Sequence, residues 1–185
     1  DRLRYRDPVT PLEDAQALVL EACPPLDPVV STRADARGLV LAEPVVAGEI
    51  VPPFDNTAVD GYAVRATDVA TVPVELRVVG EIAAGAGPSR PVGPGEAIRI
   101  MTGAPLPPGA DAIVMVEDSE RIGDAGVRLS RSVPVGAAIR RAGDDVRIGD
   151  TLFGEGTIVT PAVDAVLASV NVQTVTVWPR ARVAV

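Results

Sequence analysis

The chain predicts an α+β protein dominated by strands, and three observations carry that expectation. Short apolar or alternating segments recur between glycine and proline clusters from about residue 45 to 140. Two Thr-Pro pairs, Thr10-Pro11 and Thr160-Pro161, open amphipathic stretches near the two ends. Aromatic residues make up only 3% of the 185 residues, so the core must be built from Val, Ala, Leu and Ile. A chain of this length is one large domain or two small ones and buries roughly two-thirds of its surface.

Taken in order, Thr10-Pro11-Leu12-Glu13 predicts a helix start, with Thr10 capping, Pro11 in the first turn and Glu13 completing a capping box. Leu12, Ala15, Val19 and Ala22 mark its apolar face, and Pro24-Pro25 end it. A second, shorter helix is expected over Ala34 to Leu41, closed by Glu43-Pro44. Strands follow. Glu75-Leu76-Arg77-Val78 and Val127-Arg128-Leu129-Ser130 alternate with period two, while Ala112 to Val116 is continuously apolar and suits a strand covered on both faces. Together these segments predict a small barrel or coiled sheet. Gly85-Ala86-Gly87 lacks a third glycine and a following helix, so it is not a dinucleotide fingerprint. Thr160-Pro161 opens a last helix with Val163, Val166, Leu167 and Val170 on one face, and Asn171 suits its left-handed C-terminal residue. A strand through Val175 and Val177 comes next, and Val183-Ala184-Val185 reads as the start of another.

Composition narrows the chemistry. The net charge of −8 argues against nucleic acid and anionic membranes as partners. Histidine is absent, which removes the commonest general base and metal ligand. All 17 basic residues are Arg, which excludes Schiff-base chemistry and a P-loop lysine. Cys23 stands alone, so it forms no intrachain disulfide and has no histidine to activate it. No apolar run reaches transmembrane length and no signal peptide opens the chain, so a cytoplasmic location is expected.

The densest chemistry lies in Val51-Pro52-Pro53-Phe54-Asp55-Asn56-Thr57-Ala58-Val59-Asp60-Gly61-Tyr62-Ala63-Val64-Arg65. Two prolines stiffen its entry, Asp55-Asn56 favours Asx turns, and Asp60-Gly61 is a strand-reversing dipeptide. Two readings stand side by side. One is a proline-led loop feeding a hairpin; the other is a rigid loop that holds oxygen donors for a ligand or metal.

Four blocks resemble the N-terminal half of the molybdopterin molybdenumtransferases, the family of bacterial MoeA and the gephyrin E domain. They are Pro53 to Arg65; Arg99-Ile100-Met101-Thr102-Gly103-Ala104-Pro105; Gly109-Ala110-Asp111-Ala112-Ile113-Val114; and Gly143-Asp144-Asp145-Val146. Their order and spacing agree along nearly the whole chain, and the first two blocks together are highly specific. Three departures are mild: Val59 where Met is frequent, Asn171 where Gly is usual, and Asp144 for the commoner Glu. The large departure is length. In the family a terminal Val-Ala-Val strand leads into a pterin-binding domain and then a small β-domain.

The resemblance implies a barrel-like domain over residues 45–141, inserted in an elongated helix-plus-strand dimerisation domain of residues 1–44 and 142–178. Residues 179–185 would begin the pterin-binding domain. It also implies an enzyme that inserts molybdate into adenylated molybdopterin with release of AMP, using Mg²⁺, at a site shared across a homodimer; this chain alone would be inactive. Asp60 corresponds to the family's loop carboxylate and candidate Mg²⁺ ligand, and Thr102 to the catalytic threonine on the facing loop, a residue type that can donate to a phosphate oxygen. Asp55, Asn56, Gly61, Tyr62, Gly103 and Ala104 fall beside them as candidate substrate contacts, with Asp55 and Asn56 read first as loop-shaping residues by their turn propensity and Gly61 and Gly103 as needed for backbone geometry. Glu117, Asp118, Asp144 and Asp145 read as solvated turns. The alternative is a non-catalytic dimerisation or scaffold module derived from the same family.

Overall fold

A computed structural model describes residues 10–88 and 90–182. The strand start expected at Val183–Val185 lies outside these residues. In chain order the elements are α1 (Leu12–Ala22), β1 (Val29–Thr32), β2 (Val40–Leu41), β3 (Val45–Val46), β4 (Asn56–Thr57), β5 (Gly61–Val64), β6 (Val74–Ile82), β7 (Glu96–Ile100), β8 (Ala112–Met115), β9 (Ser119–Ile122), β10 (Gly126–Leu129), β11 (Ile139–Arg140), β12 (Thr151–Phe153), α2 (Pro161–Ser169) and β13 (Thr174–Trp178). The protein is strand-dominated α+β, as its sequence predicts. It divides into two compact units: Asp1–Val45 with Thr151–Val185, and Val46–Asp150. The sequence reading ends the second of these at residue 141. The division falls later because Gly143, Asp145 and Val146 fold back by backbone hydrogen bonds onto Val51 and Pro52, and Ala47 bonds Asp150.

The continuous unit, Val46–Asp150, holds a curled six-stranded sheet in the order β8-β5-β7-β6-β10-β9. Every neighbouring pair in it is antiparallel except β6 and β7. Core forms on both faces. Alternation places Tyr62 and Val64 of β5 in one apolar cluster with Ala112 and Val114, while Ala63 joins Ile98, Ile100 and Ile113 in the other. A register shift in β6 between Val78 and Glu81 reverses its alternation, so Leu76 packs in the first cluster and Ile82 in the second. One strand thereby feeds both cores.

The other unit carries the sheet β1-β13-β2, antiparallel throughout, with Val29 opposite Val177 and Val177 opposite Leu41. Leu167 of α2, Leu41, Val159, Val175 and Val177 form its core. α2 is built as the sequence predicts. Thr160 Oγ1 accepts the Val163 N–H at 3.2 Å, and Pro161 occupies the first turn. At the other end Asn171 takes φ 56°, and the N–H groups of Asn171 and Val172 reach back to Ala168 and Leu167. In the first turn of α2, Asp164 is buried and paired with both Arg33 and Arg37.

Two helix expectations need correction. α1 forms, but Pro11 itself sits at the N-cap with ψ 148° and no side chain caps the helix. Thr10 is thus one residue too early to reach the open amides. The helix expected over Ala34–Leu41 is a single turn and then a strand. Thr32 and Asp35 bond each other at that turn, Gly38 takes φ 76°, and Val40–Leu41 pair with β13. Pairing with a distant strand overrides local helical tendency. α1 buries no residue: Leu12, Leu18, Val19 and Leu20 are 68%, 61%, 62% and 73% exposed.

Candidate functional site

All the residues singled out by sequence lie in the continuous unit, and its backbone explains why they converge. The loop after Pro53 and the loop after β7 run side by side. The Thr57 N–H donates to Ala104 O at 3.1 Å, the Gly103 N–H to Thr57 O at 2.9 Å, and the Leu106 N–H to Asp55 O at 2.9 Å. Gly103 takes φ 81°, a conformation that favours glycine. Thr57 Oγ1 donates to Val59 O at 2.6 Å and accepts the Val59 N–H, which tightens the bend leading to Asp60.

That bend delivers Asp60 to Thr102. Asp60 Oδ1 accepts the Thr102 backbone N–H at 2.7 Å and the Thr102 hydroxyl at 2.6 Å. These two bonds, first the hydroxyl and then the amide, hold the Asp60 carboxyl below its ordinary range, and the Arg99 guanidinium adds to the effect. Asp60 and Thr102 are both exposed, and Oδ2 of Asp60 has no partner among the described residues. Thr102 therefore grips the carboxylate. Thr102, expected from its turn to be able to donate to a phosphate oxygen, here directs both its N–H and its O–H at Asp60.

Gly61 is demanded by the sheet. A Cβ there would lie 2.2 Å from the carbonyl oxygen of Val114 on the neighbouring strand. Tyr62 is 1% exposed, with its ring in the core and only its hydroxyl engaged, accepting from Arg99 Nη1 at 3.2 Å. Asn56 is also buried, its amide donating to Phe54 O at 3.2 Å. Ala104 is fully buried. Asp55 is tied down by the Ala142 N–H at 2.8 Å and by Arg141 Nη1 at 2.6 Å, which together lower its pKa in that order of importance.

The arginines are not singled out by the sequence alone. Arg99 lies with its guanidinium 5.5 Å over the Tyr62 ring centroid, and Arg141 reaches Asp55 across 86 residues. Arg140, opposite Asn56 in the β4–β11 pair, is ion-paired to Asp145. Of the carboxylates expected to be plain solvated turns, Asp118 pairs with Arg131 at 3.4 Å and Asp144 accepts the Arg141 N–H at 2.7 Å. A charge between buried Ile98 and Ile100 was the signal that could have exposed Arg99.

Among the described residues no group of three or more His, Cys, Asp or Glu is placed to hold a metal ion. Asp60 Oδ2 offers a single open carboxylate oxygen, while both Asp55 oxygens are engaged. A cleft of about 250 Å³ opens beside β8, walled by Ile113, Met115, Val133 and Ala137. Its cation, Arg131, is paired with Asp118, so the cleft is apolar in character. Among the described residues no helix is long and apolar enough to cross a membrane.

Residues 10–171 match the family model for the MoeA N-terminal region, domains I and II. A molybdopterin molybdenumtransferase 1 of Mycobacterium tuberculosis (strain CDC 1551 / Oshkosh) is 39% identical over 193 aligned positions, covering 94% of this chain and 45% of that protein. The molybdopterin molybdenumtransferase of Bacillus subtilis (strain 168) is 42% identical over 142 positions, 73% of this chain and 33% of its own length. The crystal structure of a molybdopterin biosynthesis MoeA protein from Pyrococcus horikoshii OT3 superposes with a TM-score of 0.84 at 36% identity, over 92% of this chain and 46% of that one. The chain thus spans less than half the length of these relatives.

Proposed function

The chain belongs to the MoeA family of molybdenum-cofactor biosynthesis, and we propose on that premise that it furnishes one wall of a molybdopterin molybdenumtransferase site. The reaction would be insertion of molybdate into the dithiolene of adenylated molybdopterin, with AMP released. The observation that carries this reading is the grip of Thr102 on Asp60 across 42 residues. Two loops are joined to hold one exposed carboxylate, whose ionised form is favoured further by its hydrogen bonds. Asp55, on the same loop, has both of its oxygens engaged.

The remaining candidates take supporting parts in this reading. Gly103 and Ala104 keep the facing loops in register, Gly61 lets β5 and β8 close behind Asp60, and Asn56 and Asp55 fix the loop entry. Tyr62 carries Arg99. Mg²⁺ is commonly held by one or two carboxylates, waters and substrate phosphates, and a lone aspartate with one open oxygen suits that mode. When bound it would neutralise phosphoryl oxygens; this chain contributes Asp60 Oδ2 and no closed cage. With a net charge of −8, the chain leaves the bulk of anion binding to the remaining half of a longer protein, reached across a homodimer. The unburied apolar residues of α1 favour such association and are also what a non-catalytic dimerisation module would present.

Asp60→Asn separates these readings in a protein extended to the length of its relatives. Turnover of molybdate insertion is expected to fall on the order of a hundredfold with the melting temperature unchanged. Unchanged turnover, or a large drop in melting temperature, returns Asp60 to a loop-shaping role and favours the module.

A further inference from the structure

Arranging oxygens for an oxyanion substrate requires donors, and the hydrogen bonds around Asp60 leave few. Both donors of Thr102 point at Asp60 Oδ1. The neighbouring amides are engaged too: the Met101 N–H donates to Ile82 O, the Gly103 N–H to Thr57 O and the Ala104 N–H to Met101 O. No backbone N–H from Met101 to Ala104 remains for a ligand. Arg99 differs. It is partly buried, its guanidinium is held over the Tyr62 ring, and its single hydrogen bond among the described residues runs from Nη1 to the Tyr62 hydroxyl. Of the five N–H donors an arginine carries, four are left without a protein acceptor. Its charge also reaches Asp60, where it favours the ionised carboxylate.

We propose that Arg99 is the oxyanion-contacting residue of this wall, stacked on Tyr62 and presenting its free N–H fork to a tetrahedral oxyanion beside Asp60, while Thr102 acts on the ligand only by positioning Asp60. The stack has a physical purpose. A guanidinium laid on a buried ring loses little further freedom when it binds, and its planar fork matches two oxygens of one tetrahedral anion. A carboxylate beside it repels any anion not held by directed donors, so the pair selects an anion by its geometry. A phosphate ester and molybdate share this chemistry. The inference rests on the reading of Asp60 and Thr102 as a substrate wall.

The test uses the 185-residue chain with AMP and, separately, sodium molybdate, followed by NMR at the Arg99 Nε–Hε and Thr102 amide signals. A saturable shift of Arg99 in the millimolar range or above is expected with at least one anion. A response to AMP alone assigns the phosphate ester, and one to molybdate alone assigns the bare oxyanion. Arg99→Gln is expected to weaken the response about tenfold or more, and Arg99→Lys, which keeps the charge and loses the fork, by less. Silence of Arg99 toward both anions, or affinity unchanged in both variants, overturns the proposal. Should Arg99→Gln unfold, Arg99→Lys decides alone, because equal affinity there denies the fork a part. These readouts are independent of turnover: a slow Asp60→Asn enzyme with a silent Arg99 sinks this inference and leaves the function standing.

Discussion

Gly61→Ala measures how closely β5 and β8 approach. The added Cβ would sit 2.2 Å from the Val114 carbonyl oxygen, 3.0 Å from its carbon and 3.2 Å from Ile113 Cγ2. The obstacle is backbone and cannot swing away, so the strands must part by roughly 1 Å in a close-packed interior. Overpacking of this kind costs about 1–3 kcal/mol, and loosening one or two ladder hydrogen bonds adds about 1 kcal/mol each. A loss of about 2–4 kcal/mol is a large share of a typical 5–15 kcal/mol stability. Urea unfolding followed by far-UV circular dichroism, with m of about 1–3 kcal/mol per molar, should show the midpoint fall by roughly 1–2 M. Amide exchange at Ala63 and Val114 should quicken in step. A midpoint within about 0.3 M of the parent would refute the close approach, and weakened ligand binding at unchanged stability would make Gly61 a contact residue instead.

Thr102→Val removes the hydroxyl that contributes most to the low Asp60 pKa but keeps the amide, so the carboxyl should titrate nearer its ordinary 3.8. Because the folded value is depressed, the stabilisation from ionised Asp60 is complete above 3.8 and disappears as pH falls through the folded value below it. Carbon-13 titration of Asp60 checks this, and an unmoved pKa in Thr102→Val denies the hydroxyl its part. The parent chain should show an apparent mass in light scattering that rises with concentration, and Val19→Asp on α1 should abolish the rise; a parent that stays strictly monomeric refutes association through α1.

How far the sequence alone leads depends on how local the determining contacts are. α2 was legible because Thr160, Pro161 and Asn171 act within a turn of their own positions. The strands at Leu76, Ile113 and Val127 were legible because alternation or continuous apolarity reports burial directly. Val40-Leu41 was misread as helix because its strand identity comes from Val177 and Trp178. Thr10 and Pro11 fit a capping pattern whose phase only coordinates resolve. At the site, Asp60 and Thr102 were joined through resemblance of two motifs, whereas no periodicity links Arg141 to Asp55. Arg99 does not stand out in the sequence because alternate positions in a strand are so often polar that a cation there looks ordinary.

The division of the chain has a consequence for the order in which it is made. Val46–Asp150 is continuous, so a ribosome delivers every partner its sheet requires before Thr151 and the residues after it are synthesised. The other unit cannot close so early: Arg33 must wait for Asp164, 131 residues later, and β1 for β13. An extended intervening chain would make that closure entropically dear, but an already folded insert gathers its two ends near one another and shortens the effective span. The inserted unit thus serves as a scaffold in time, and a lesion within it, even one remote from the sheet of β1, β13 and β2, should delay that sheet's completion and leave nascent β1 and β2 exposed for longer.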